Sequence, residues 1–107
     1  METIYGTVSE SATCGSITDI LNQTFKMLPY KEYNNPSFES HTTTLLFRIR
    51  GLSELFPNEP MWVTVLANLQ AAKTEEDFQV FRKAVLDACA MISEFQKQLG
   101  ESNDAAI

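Results

Sequence analysis

Thr74–Gly100, TEEDFQVFRKAVLDACAMISEFQKQLG, is the stretch whose reading decides the fold. Phe78, Phe81, Val85, Ala88, Ile92, Phe95 and Leu99 recur at alternating intervals of three and four residues. That spacing lines them up as one stripe along an α-helix. Thr74 reads as its N-cap and Glu75-Glu76-Asp77 as an acidic first turn, where the helix dipole favours negative charge. Gly100 reads as its end, being the residue that most cheaply takes the left-handed cap conformation.

Upstream, Glu59–Lys73 predicts a further helix carrying Trp62, Val65, Leu66, Leu69 and Ala72, with Asn58 as cap and Glu59-Pro60 as its first turn. Before it, Ser37 is a cap candidate, and Phe38, Leu45, Ile49, Leu52 and Phe56 recur at helical spacing up to Pro57. This segment also carries the features of a strand. Thr42-Thr43-Thr44 is β-branched, Leu45, Phe47 and Ile49 alternate, and Gly51 costs roughly 1 kcal/mol inside a helix. The helical register persists through Leu55 and Phe56, so helix is the leading reading. The first helix is expected over Ile17–Leu28, capped by Ser16 and stopped by Pro29, with Ile17, Leu21, Phe25 and Leu28 as its apolar face, flanked by Ile20 and Met27.

The expected fold class is therefore all-α: an antiparallel four-helix bundle joined by short connections at Pro57 and Thr74. Residues 1–107 form one domain. Residues 1–15 are expected as an extended segment and turn laid along the bundle, and residues 101–107 as a frayed tail. The alternative is α+β, if Thr42–Arg50 and Ile4–Val8 are strands.

A chain of 107 residues with 44% hydrophobic and 21% charged residues is long enough to bury about 65% of its unfolded surface in its own core. Fourteen acids oppose eight bases, for a net charge of −6. Such a field repels nucleic acid and anionic membrane, and favours a neutral or basic protein partner. Neither a secretory signal nor a membrane span is legible, and Cys14 and Cys89 match no disulfide framework or zinc spacing, so a reducing cytoplasm is the expected compartment.

Chemistry-bearing residues are few. His41 is the sole histidine and cannot form a multi-histidine metal set. Cys14, just ahead of the expected first helix, could have its thiol activated by the helix dipole, but no base lies near it in sequence. Cys89 reads as a small buried hydrophobe. Arg48 and Arg50 are a basic spot next to a helix–connector–helix, yet the third helix adds only Lys73, a poor DNA-reading face. No cofactor, metal or catalytic set is expected.

Lengths supply the functional expectation. At 1.5 Å per residue the fourth helix would be about 37 Å long and the first only about 18 Å. Apolar residues at the ends of the fourth helix, Phe78, Phe81, Phe95 and Leu99, would then need a partner. The internal loop Pro29–Pro36, with Tyr30 and Tyr33, is the other candidate contact. The resulting expectation is a small acidic protein-binding module of adaptor, chaperone, inhibitor, immunity or regulatory type. It would act through helix-mediated association with another protein, neutral or basic, or with a second copy. The alternatives are a small-molecule-binding or catalytic bundle using Cys14 and His41, and a nucleic-acid-binding regulator using Arg48 and Arg50.

Overall fold

The chain packs four helices: α1 (Glu10–Glu32), α2 (Phe38–Leu55), α3 (Met61–Lys73) and α4 (Phe78–Ala105). The computed structural model describes residues 2–3, 6–7 and 10–105, with side chains described over 16–98. Consecutive helices pack against each other and α4 closes the ring against α1. Cross-helix pairs fix the directions. Tyr30 near the end of α1 meets His41 near the start of α2, Lys73 at the end of α3 meets Glu39 at the start of α2, and Trp62 at the start of α3 meets Phe95 late in α4. Thr18 early in α1 bonds Gln96 late in α4. Every neighbouring pair is antiparallel, the arrangement that short connections favour.

The α4 stripe is the centre of this ring. Phe81, Val85, Ala88 and Ile92 are fully buried and Phe95 is 5% exposed. Around them lie Ile17, Ile20 and Met27 of α1, Leu45 and Ile49 of α2, and Trp62, Val65, Leu69 and Ala72 of α3. Aromatic edges lock the two ends. Phe38 meets Phe81 at 5.8 Å, while Phe95 meets both Phe56 and Trp62 at 5.8 and 5.3 Å, within the range where edge-to-face pairs attract.

Several local expectations are corrected. Thr42–Arg50 is helix, so the α+β alternative falls: the triple threonine is accommodated because Thr42 is buried in the core while Thr43 and Thr44 are exposed. Ser16 does not start α1, which begins at Glu10; residues 10–15 are helical rather than extended. Glu2–Thr3 and Gly6–Thr7 pair as two-residue antiparallel strands, whereas Ile4, Tyr5 and Val8 lie outside the described residues. The core face of α1 is Ile17, Ile20, Thr24 and Met27, and Phe25 is turned outward.

Pro29 sits inside α1 and does not end it. It forfeits one hydrogen bond, but the following turn is held by packing, with Tyr30 against His41 and Lys31 over Phe38 and Phe81. The stop comes at Asn34, whose φ of 51° is left-handed. Its N–H donates to Lys31 O at 3.2 Å and that of Asn35 to Tyr30 O at 2.9 Å, the paired bonds of a Schellman cap. Asn tolerates this conformation better than other non-glycine residues.

The cap of α4 is Asp77 rather than Thr74. Its Oδ1 accepts from Gln79 N at 2.9 Å and Val80 N at 3.4 Å, while Glu75 Oε1 accepts from Asp77 N at 3.1 Å. Gly100 does not terminate α4, which continues to Ala105; an interior glycine costs only about 1 kcal/mol and no proline follows to enforce a stop. Residues 101–105 are thus helical rather than a frayed tail.

Candidate partner-binding surface

The revised helix lengths overturn the premise of an undercovered α4. With 23 residues, α1 spans about 35 Å rather than 18 Å, enough to cover most of α4. Phe81 and Phe95 are therefore core, not free to contact a partner in the folded monomer. Phe78 is half-buried and stacks on Phe81 at 5.9 Å with an interplanar angle of 29°. The side chain of Leu99 lies outside the described residues.

The tyrosine loop remains, and the fold builds a surface around it. The end of α1, the cap at Asn34 and the start of α2 enclose a cleft of about 200 Å³ lined by Tyr30, Lys31, Asn34, Asn35 and Phe38. Tyr30 is held edge-on to His41 at 4.8 Å. Lys31 Nζ lies 5.1 Å from the centre of the Phe38 ring and 5.6 Å from that of Phe81, so its charge sits on ring faces. Tyr33, next to the capping Asn34, is 76% exposed. Asn35 Oδ1 accepts from Ser37 N at 2.8 Å, which fixes the turn into α2 without a side-chain cap from Ser37.

The same end of the bundle collects negative charge. Because Lys73 reaches Glu39 at 3.1 Å and Phe38 meets Phe81, the α3–α4 connection lies beside the start of α2. Glu75, Glu76 and Asp77 lie on that connection and Glu32 and Glu39 at the ends of α1 and α2 that meet there, with Lys31, Lys73, Arg82 and Lys83 as the bases nearby in the chain. Lys31 is engaged by rings and Lys73 by Glu39 and the Thr43 hydroxyl. Five acids thus gather at this end against four bases, of which Lys83 is paired with Asp87.

The residues of the other two readings are placed as follows. His41 Nε2 lies 2.8 Å from the backbone oxygen of Gln23; a carbonyl only accepts, so that nitrogen carries the proton. The ring lines a cleft of about 190 Å³ with Gln23, Thr44, Leu45 and Arg48. Cys14 lies within α1, nine residues before Gln23 and so about 14 Å away along the helix. The two are not brought together, and Cys14 has lost the helix-start position that would activate it. Cys89 is buried, and desolvation pushes its thiol up to about 12. Arg48 pairs with Asp19 at 2.7 Å and Arg50 with Glu54 at 3.6 Å. The Arg48 guanidinium, then the Gln23 amide, hold the Asp19 carboxyl below its ordinary value. Among the described residues no three His, Cys, Asp or Glu side chains converge as a metal site would, and no helix is long and apolar enough to cross a membrane.

No family model, curated protein or solved structure matches this chain.

Lys31, Asn34 and Asn35 of the cleft fall within the Pro29–Pro36 loop without having been marked individually, and Phe38 was expected only on the apolar face of α2. The signal available was Asn34-Asn35-Pro36, an αL-tolerant pair followed by proline, which marks a helix end as Pro29 alone does not.

Proposed function

We propose that this protein is a protein-binding module that docks a basic segment of another protein on the loop end of its bundle. The observation that carries the reading is the exposure of Tyr33, next in the chain to Asn34 of the Tyr30–Phe38 cleft, at an end of the bundle that also carries Glu32, Glu75, Glu76 and Asp77. An aromatic side chain gives contact area at low entropic cost and is enriched where interfaces bind most strongly. The acids steer a cationic partner and set its orientation. A rigid scaffold of four helices presents the loop, the usual division of labour between frame and binding segment. Adaptor, inhibitor and immunity-type roles all fit this description, and the partner decides among them.

The test is affinity capture from the native organism with wild-type protein and with Tyr33→Ser, a change at an exposed site that leaves the fold intact. The proposal expects a captured protein that is lost with Tyr33→Ser and released by salt. Equal capture by both proteins overturns it. The catalytic and nucleic-acid readings would instead be supported by activity that depends on His41, or by salt-sensitive DNA retention that depends on Arg48 and Arg50.

A further inference from the structure

The corner between α1 and α2 has no anchor of its own in the core. Met27 and Thr42 are fully buried, but every residue between them, from Leu28 to His41, is half-buried or exposed. Prolines bound the corner, Pro29 on one side and Pro36 on the other. Pro29 lies inside α1 and has no N–H, so the Phe25 carbonyl four residues back goes without its helical donor. The hydrogen-bond ladder is thus thinned just where the buried part of α1 ends. On the far side, α2 starts without a side-chain cap from Ser37.

The contacts that close the corner are of two kinds. Backbone bonds tie it to itself: Tyr33 N donates to Pro29 O at 3.0 Å, Asn34 N to Lys31 O at 3.2 Å and Asn35 N to Tyr30 O at 2.9 Å. These bonds move with the corner if it swings as a block. Side chains join it to the body of the bundle: Tyr30 lies edge-on to His41, itself bonded to the Gln23 oxygen on the core side of Pro29, and Lys31 lies over Phe38 and Phe81. An aromatic edge and a cation on a ring face are each worth roughly two- to thirtyfold in an opening equilibrium. Full unfolding forfeits the whole α4 core as well, so releasing the corner alone is far less costly.

We propose that residues 30–36 are a hinged flap that swings about Pro29 and the Pro36–Ser37 junction, with the Tyr30–His41 and Lys31–Phe38 contacts as its latch. Tyr30, Lys31, Asn34 and Asn35 of the loop-end cleft belong to the flap, and Phe38 to the body of the bundle. The width of that cleft therefore follows the flap, and opening lifts Lys31 off the rings of Phe38 and Phe81. Elements that move on binding are drawn from such low-stability units. The hinge is a property of the free protein, so capture of a partner through Tyr33 stands or falls separately.

Amide hydrogen exchange of the full chain, read residue by residue by NMR in urea below the unfolding transition, tests this. The amides of Tyr33, Asn34 and Asn35 should be protected, yet open together at least about a hundredfold more readily than those of Val85 and Ile92. Urea should accelerate them little, because the opening exposes little surface. Lys31→Ala should speed the flap amides several-fold. Pro29→Ala, which supplies the missing donor to Phe25 O, should slow them. Ile92→Val trims the fully buried core toward the opposite end of the bundle. It should speed Val85 several-fold and leave the flap amides unchanged, since the flap opens with the core still packed. Flap amides that share the protection and urea dependence of the core, or that follow it in Ile92→Val, overturn the proposal. So do flap amides without protection, which would mean that no latch closes, and indifference to either Lys31→Ala or Pro29→Ala.

Discussion

Replacing Phe81 with alanine should remove about 4 kcal/mol of stability, and the structure says why the figure is that large. The side chain is fully buried, and deleting a buried Phe costs about 3–5 kcal/mol in lost transfer energy and residual cavity. Its surroundings favour the upper half. Phe38 and Phe78 both pack on it, at 5.8 and 5.9 Å, and aromatic pairs contribute roughly 0.5–1.5 kcal/mol beyond area. Lys31 sits over the same ring, so α1, α2 and α4 all lose a contact at once and the site cannot collapse by moving one element. A domain of this size has about 5–15 kcal/mol in total, so the variant should still fold. Urea unfolding followed by the fluorescence of Trp62, the sole tryptophan and fully buried, should show a midpoint lowered by about 2 M at an m-value near 2 kcal/mol/M. Phe47→Ala is the control: that ring is 78% exposed, and its loss should stay within about 0.5 kcal/mol. A Phe81→Ala cost below about 1 kcal/mol, or a Phe47→Ala cost equal to it, would refute the assignment of the α4 stripe to the core.

Three further outcomes follow from single side chains. The Thr42 hydroxyl is buried without a partner, whereas that of Thr24 donates to Ile20 O at 2.8 Å; Thr42→Val should stabilise by about 1 kcal/mol and Thr24→Val should not, as calorimetry of the two can show. Gly51 lies exposed within α2 with nothing within 4 Å of a Cβ built there, so Gly51→Ala should raise stability by roughly 0.5–1 kcal/mol; a loss would mean that the glycine meets a constraint of another kind. Arg48 lowers the Asp19 carboxyl from its usual 3.8. Its stabilising effect is thus present above that value and lost as pH falls through the lower folded one, so wild type and Arg48→Met should differ slightly at neutral pH and converge once the carboxyl is protonated in both folded and unfolded states, as urea titrations can show. A gap that persists in acid would contradict this origin.

The bundle itself was legible because its signals are periodic. Phe78, Phe81, Val85, Ala88, Ile92 and Phe95 repeat often enough that one misplaced residue does not hide the helix, and the same holds for Phe38 to Phe56 despite the threonine run. Boundaries were less legible because each depends on a single competition. At Pro29 the local preference for a break lost to the packing of Tyr30 and Lys31, and at Ser16 a plausible cap lay inside a helix that starts earlier. Those two errors shortened α1 by about half in length and produced the expectation of bare α4 ends. Tyr33 was visible as a loop aromatic, but its cleft was not, since Phe38 and Lys31 reach it only through the closure of α1, α2 and α4.

The loop end as a docking site for a protein partner is most directly tested by a photo-crosslinking amino acid placed in the chain in its native organism. Positions 33 and 47 are both aromatic and exposed to about the same degree, 76% and 78%. They differ in lying on the loop end and on the outer face of α2. Docking at the loop end gives a discrete covalent adduct with another protein from position 33 and none from position 47. No adduct at 33, or the same adduct from both positions, would contradict it.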